Sequence, residues 1–373
     1  MRRPSDIHVP AMVLAAVAVL LLGAWALPRA AGYTAEPGGW IDGRQANAFE
    51  RHYNEQFPLQ NLSRNLWTAA RYRLFGEGLD GLVIGQGGWF YTEQEFQPYP
   101  DAGARVERHL AEVIAVRDEL ARRGIRLQVA LLPAKARIYA DRTGEHEPAD
   151  PHALLYPRFR MDLRFAGIDA PDLDAALRAC RARGPVFLRT DTHWTPLGAR
   201  CAAHALAALP PPPAHLNASG QRFQTAPGPA RAHRGDLLNY LPLAPLFSHW
   251  LPRPEPVRTV QLVDRRPPDT GLLGDAPPVP VALVGTSYSA DPRWGFASFL
   301  KTVFDTDVEN FATEGEGPFL PMRAMLELIG HRARGPRLVI WEIPERYLLQ
   351  EHRPRHRVTA HISQQSTEAR HDT

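Results

Sequence analysis

Three short stretches are apolar almost without interruption: IRLQVALL at 125–132, VALV at 281–284 and LVIW at 338–341. They lack the strict alternation of a half-exposed strand and are too short for long helices, so they read as strands buried on both faces of a parallel sheet. Helical spacing of apolar residues fills much of the chain between them. Asp101 predicts the N-cap of a helix running to 123, with Val106, Leu110, Val113 and Leu120 on one side and Gly124 closing it. Further helices are expected over 172–183, ended by Gly184-Pro185, over 197–209 with Pro196 at the first turn, near 294–300, and over 318–329. Alternating strands and helices predict a doubly wound, three-layer α/β/α sandwich with a mostly parallel sheet.

Upstream, Leu82-Val83-Ile84 and Trp89-Phe90-Tyr91 flank a glycine-rich turn and predict a hairpin. Phe49, Tyr53 and Phe57 recur at helical intervals and predict a lead-in helix, with a second over 61–75. The apolar run 9–27 follows Arg2 and Arg3 and has about the length of a spanning helix. Residues 1–30 are therefore expected to anchor the chain, with the remainder outside the inner membrane. Ala24-Trp25-Ala26 leaves a cleaved signal open. After four prolines at 210–213, residues 214–279 read as a proline-rich insertion bordering a site or a partner surface, and 351–373 as a mobile tail.

Composition adds little to this outline. Formal net charge is +3 over 373 residues, without a basic stripe or a known module, so nucleic acid is not an expected partner. Cys180 and Cys201 lie on the helical stretches either side of residues 191–193. In an oxidising compartment a disulfide is expected of such a pair, with two small buried residues as the alternative; their spacing fits no zinc motif, and no metal or cofactor is expected.

The candidate chemistry sits where apolar runs end. Val186-Phe187-Leu188 reads as a short buried strand, and Asp191-Thr192-His193-Trp194-Thr195-Pro196 follows it, an acid and an imidazole two residues apart. A histidine held by a carboxylate is a common general base. The 281–284 strand runs into Gly285-Thr286-Ser287, which places a serine hydroxyl at the same expected sheet edge, with the Ser287 amide as a donor to a developing oxyanion.

Together these segments resemble the alginate O-acetyltransferase family of the AlgJ and AlgX type, whose members look like SGNH hydrolases with the motifs in permuted order. The resemblance extends through Gly39-Trp40-Ile41-Asp42-Gly43, Tyr53-Asn54-Glu55-Gln56-Phe57-Pro58, Gly87-Gly88-Trp89-Phe90-Tyr91-Thr92, Pro133-Ala134-Lys135-Ala136-Arg137, Arg293-Trp294-Gly295-Phe296 and Trp341-Glu342-Ile343-Pro344-Glu345-Arg346-Tyr347. It implies an SGNH-like acetyltransferase domain over 39–349, closer to the anchored AlgJ type because the chain stops soon after its last strand. Ser287 is then the nucleophile, His193 its base and Asp191 the orienting acid. Lys135, Arg137 and Arg293 become candidate contacts for a uronate carboxylate, and Trp194 and Trp294 candidate stacking surfaces for sugar rings.

The implied partners are an extracytoplasmic polysaccharide, most readily alginate, and a membrane-bound O-acyltransferase that delivers acetyl groups. A periplasmic carbohydrate esterase and a non-catalytic polysaccharide-binding subunit remain alternatives. Thr286 stands where ordinary SGNH hydrolases carry the aspartate of Gly-Asp-Ser, and no Gly-Asn-Asp block is evident. That leaves Asn310 as a remote candidate for the second oxyanion donor. Gly235-Asp236-Leu237-Leu238-Asn239 also resembles the family, without a mechanism attached.

Overall fold

The computed structural model describes residues 33–34, 43–56, 60–149, 152–209, 222–265, 279–332 and 335–351, with scattered helical positions between 13 and 25. Most of the expected anchor at 1–30, the prolines at 210–213 and nearly all of the expected tail at 351–373 lie outside them. Among the described residues no helix is long and apolar enough to cross a membrane.

Contacts divide the chain into two units. The first joins everything up to Gly78 to Leu241–Leu251; the second comprises Leu79–Tyr240 and the chain from Pro252 onward. Helices α1 (Arg44–Gln56) and α2 (Gln60–Phe75) belong to the first unit, where Asn65 Nδ2 donates to the Ala244 carbonyl at 2.7 Å. The described residues between 43 and 78 group with Leu241–Leu251.

The second unit carries the sheet. A small antiparallel hairpin, β1 (Leu82–Ile84) with β2 (Phe90–Thr92), forms as its glycine-rich turn predicts, Gly87 and Gly88 both adopting positive φ. Next come α3 (Ala102–Arg122), β3 (Arg126–Leu132), the single turn α4 (Lys135–Ile138), α5 (His152–Phe165), α6 (Leu173–Cys180) and α7 (Pro196–Ala207). A two-stranded ribbon follows, β4 (Phe223–His233) antiparallel to β5 (Glu255–Asp264). The chain then runs through β6 (Val281–Val284), the turn α8 (Ser287–Ala290), α9 (Phe296–Phe304), β7 (Val308–Asn310), α10 (Phe319–Gly330) and β8 (Leu338–Pro344).

Strands order as β3-β8-β6-β7, all parallel. Successive side chains on a strand point to opposite faces, and the core follows that rule. Ala130, Leu132, Val281, Leu283, Leu338 and Ile340 pack on one face with residues of α6, α7 and α9. Leu127, Val129, Leu131, Ala282, Val284, Val339 and Trp341 pack on the other with α3, α5 and α10. The expected sandwich is therefore present.

Three local expectations change. Asp101 makes no side-chain cap bond to α3, although Gly124 does close that helix with φ 71°. The buried run 186–188 joins no sheet; Phe187 bridges only Trp194, Leu188 N donates to the His193 carbonyl at 3.1 Å and Thr195 N to that of Val186 at 2.9 Å. Asp191 thus sits in a loop closed by backbone bonds rather than at the end of a sheet strand. The proline-rich stretch 214–279 contains the ribbon, whose prolines at 227 and 229 coincide with a register shift between Pro227 and Ala230, as the loss of ladder donors requires.

Candidate active site

Strand β6 ends at Val284 and the chain turns through Gly285 and Thr286 into Ser287, the first residue of α8. The turn is fixed from behind by Glu342 of β8, which is fully buried. Its carboxylate accepts from Thr286 N at 2.8 Å, from the Thr286 hydroxyl at 3.1 Å and from Ser289 Oγ at 3.0 Å. Burial pushes the Glu342 carboxyl up, and the donors from Thr286 and Ser289 work against that shift. Gly285 is required here because an added Cβ would collide with Glu342 Oε2. Ser289 is buried and committed to Glu342, whereas Ser287 keeps partial exposure.

Across from it lies the 191–193 loop. Ser287 Oγ is 2.7 Å from His193 Nε2, and His193 Nδ1 is 2.6 Å from Asp191 Oδ1. A carboxylate only accepts, so Nδ1 carries the ring proton and Nε2 is left to accept from the serine hydroxyl. Asp191 also receives His193 N at 2.9 Å on Oδ1, and on Oδ2 it receives His233 Nε2 at 2.7 Å and Asp236 N at 3.0 Å. Burial alone would raise its pKa; the hydrogen bonds from His193 and His233 overcome that and hold the carboxyl well below the usual range. Trp294 stacks on the His193 ring at 5.2 Å and 18°, and the Tyr288 ring closes the other contact at 4.8 Å.

His233 and Asp236 were not singled out from the sequence. They arrive together at the end of β4, with Gly235 pressed so closely on the Thr190 carbonyl that no side chain fits there. Asp236 accepts from Thr192 N at 2.8 Å and from the Thr192 hydroxyl. This supplies the mechanism that the Gly235–Asn239 resemblance lacked: the segment braces the 191–193 loop. Asp191, His193 and Asp236 offer ligand atoms within 4.8 Å of one another, but His193 Nδ1 is protonated toward Asp191, an arrangement for holding a proton rather than a cation.

Several expected substrate contacts need correction. Lys135 is 1% exposed, and its Nζ donates to the carbonyls of Phe90 at 2.6 Å and of Arg189 and Asp191 at 2.9 Å. It is an internal tie to the loop, not a surface cation. Arg137 is paired with buried Glu345, Nη2 to Oε1 at 2.7 Å, and also donates to the His152 and Ala153 carbonyls. Trp194 and Trp294 are both fully buried, so neither offers a face to a sugar: Trp194 donates to the Tyr288 carbonyl at 3.1 Å, and Trp294 backs the imidazole. Asn310 Nδ2 donates one of its two N–H groups to the Ser289 carbonyl at 2.8 Å. Arg293 differs. It is held by Asp291, yet its side chain stays 53% exposed and its Nη1 lies 3.2 Å from His233 Nδ1.

Cys180 and Cys201 form a disulfide joining α6 to α7 across the segment that leads to Asp191.

The family model described as SGNH hydrolase-like domain, acetyltransferase AlgX matches residues 82–345, which include every group of this site. The chain belongs to this family. Curated relatives named probable alginate O-acetylase AlgJ are 46% identical in Azotobacter vinelandii, over 88% of this chain and 86% of the relative, and 45% identical in Pseudomonas aeruginosa, over 90% and 88%. The solved O-acetyltransferase domain of Pseudomonas putida AlgJ superposes with TM-score 0.66 at 42% identity, covering 73% of this chain and 94% of that one. Pseudomonas aeruginosa AlgX, at 22% identity and TM-score 0.53, shares the fold. As a member of this acetyltransferase family the chain is an enzyme with an SGNH hydrolase-like domain, and its α/β layering is the one the strand pattern predicts.

Proposed function

We propose that this AlgX-family enzyme transfers acetyl groups to hydroxyls of alginate through an acetyl-serine intermediate on Ser287. The observation that carries the reading is the unbroken line Asp191–His193–Ser287, with 2.6 and 2.7 Å contacts, in a chain similar to proteins named alginate O-acetylases.

In the first half-reaction Ser287 Oγ attacks the acetyl carbonyl of the donor while its proton passes to His193 Nε2. Asp191 stabilises the imidazolium, and the proton leaves with the departing group as the acetyl ester forms. In the second half a polysaccharide hydroxyl gives its proton to His193 and attacks the acetyl-serine carbonyl; collapse of the tetrahedral adduct breaks the Ser287 ester and returns the proton to Oγ. Both adducts carry an oxyanion. Ser287 N is the proposed donor to that charge: Ser289 N and Ala290 N already bond the Thr286 carbonyl and Tyr288 N its hydroxyl, which leaves the Ser287 amide to serve it.

Arg293 is an exposed cation beside this line and a candidate contact for a uronate carboxylate. The enzyme is assigned to the periplasm, held at the inner membrane through residues 1–30 and supplied by a membrane-bound O-acyltransferase.

The test uses p-nitrophenyl acetate as donor and mannuronate oligosaccharides as acceptor. Mass spectrometry should show acetylated oligosaccharide and a Ser287 acetyl peptide with wild type, and neither with Ser287→Ala. Undiminished transfer by Ser287→Ala would overturn the nucleophile, while release of acetate alone, without acetylated sugar, would make the protein an esterase.

A further inference from the structure

The mechanism above uses one imidazole, but two stand on the same carboxylate. His233 Nε2 lies 2.7 Å from Asp191 Oδ2, and Arg293 Nη1 lies 3.2 Å from His233 Nδ1. A guanidinium has no lone pair to accept with, so Nδ1 must be the acceptor and bare; the ring proton therefore sits on Nε2 and is given to Asp191. Arg293 is itself held by Asp291, whose Oδ2 is 2.7 Å from Nε and which is buried. Trp294 meets His233 edge-on at 5.5 Å while stacking on His193, so one indole seats both rings.

We propose that His233 is a positioning residue for acetyl transfer: its Nε2–H pins Asp191 Oδ2 so that Oδ1 stays on His193 Nδ1, and Arg293 fixes which His233 nitrogen carries the proton. This rests on the assignment of Asp191, His193 and Ser287 made above. The division of labour is visible on the carboxylate. Oδ1 takes both donors of His193, while Oδ2 takes His233 and the Asp236 amide. Without His233 the buried Oδ2 keeps the Asp236 amide at 3.0 Å as its hydrogen-bond donor, and the carboxylate is freer to rotate away from His193. The consequence falls on the step that makes imidazolium, because Nε2 must remain aimed at Ser287 Oγ through both half-reactions. His233 reaches the serine only through Asp191 and His193.

A purely architectural role, fastening the end of β4 to the domain, makes different predictions. The experiment compares full-length wild type with His233→Ala, His233→Met, His233→Gln and Ser287→Ala. Glutamine presents an amide Nε2 donor at about the reach of the histidine Nε2; methionine has similar length and no donor. With p-nitrophenyl acetate and mannuronate oligosaccharides, His233→Ala and His233→Met should lower kcat roughly ten- to a hundredfold, the range expected for losing a hydrogen bond to a charged group. The acceptor KM should be unchanged, and His233→Gln should recover most of the rate. The far-downfield proton resonance of His193 Nδ1–H should move in the methionine variant and return in the glutamine variant. Full kcat in His233→Met overturns the proposal, as does a loss that glutamine does not restore with the resonance unmoved. If His233→Ala does not fold, the methionine and glutamine pair decides alone. An inactive Ser287→Ala beside a fully active His233→Met sinks only this inference, whereas an active Ser287→Ala sinks the serine assignment itself.

Discussion

Replacing Lys135 by methionine asks whether a buried ammonium, and not apolar packing, holds the loop that carries Asp191. Nζ makes three short bonds to the carbonyls of Phe90, Arg189 and Asp191 and is almost inaccessible to water. Hydrogen bonds to a charged group contribute about 1.5–3 kcal/mol each, so the three give about 5–9 kcal/mol gross. Burying the ammonium costs several kcal/mol, and methionine recovers some volume and apolar contact. The net expectation is a loss of about 3 kcal/mol of stability, together with lower acetyl transfer because the Asp191 carbonyl is one of the three anchors. Burial pushes the Lys135 amine down to about 8, with Glu95 and Asp191 working to raise it. An unfolded lysine titrates higher, so between about pH 8 and its ordinary value near 10.4 the unfolded chain binds more protons than the folded one, and stability from this group rises with pH in that window. Denaturant unfolding near neutral pH and at about pH 9.5 should show that rise in wild type and lose it in Lys135→Met. A methionine variant within about 0.5 kcal/mol of wild type near neutral pH, with full transfer activity, would refute the argument.

Asp191→Asn should leave the fold intact and reduce kcat by roughly 10⁴-fold, the cost of the equivalent change in serine triads, because an amide at this position favours the wrong imidazole tautomer; steady-state kinetics beside a circular dichroism spectrum check both halves, and a loss below tenfold would contradict the role. Reducing the Cys180–Cys201 bond should lower stability by about 3 kcal/mol, since it closes a loop of 21 residues in the unfolded chain. Thermal unfolding with and without reductant measures this, and an unchanged midpoint would argue against it.

Much of the sheet was legible because a strand buried on both faces must be apolar at nearly every position, and 125–132, 281–284 and 338–341 obey that rule. Strand β7 escaped: it has three residues, of which only Val308 is buried, too few for any period to show. Helix α5 was also not read, and it carries Pro157 inside it. The line Asp191–His193–Ser287 was legible because its members follow apolar runs within segments that resemble one family. What failed was the fate of polar and aromatic residues nearby. Lys135 read as a substrate contact because its acceptors, the carbonyls at 90, 189 and 191, are distant in sequence and come from main chain, which carries no residue-type signal. Trp194 and Trp294 looked like sugar platforms because nothing local distinguishes a tryptophan that backs an imidazole from one that faces solvent.

The ribbon explains why the proline-rich insertion resisted reading and what it does. Prolines at 227 and 229 sit where a strand should have ladder donors, so neither alternation nor propensity marks β4, yet its pairing with β5 resumes past the shift and carries His233 into register with Glu255. Glu255 in turn accepts from Arg189 N and Thr190 N at 3.0 Å, fastening the ribbon to the strand side of the same loop that His233 and Asp236 hold from the other. Residues 189–193 are thus gripped by Lys135 from the sheet edge and by three side chains on the other side, Glu255 and His233 of the ribbon and Asp236 just beyond β4. A loop with so little regular structure of its own would otherwise sample many conformations, at roughly 1–2 kcal/mol of entropy per residue fixed. The insertion is the means by which this fold keeps an acid and its histidine still in a segment that no sheet strand supports.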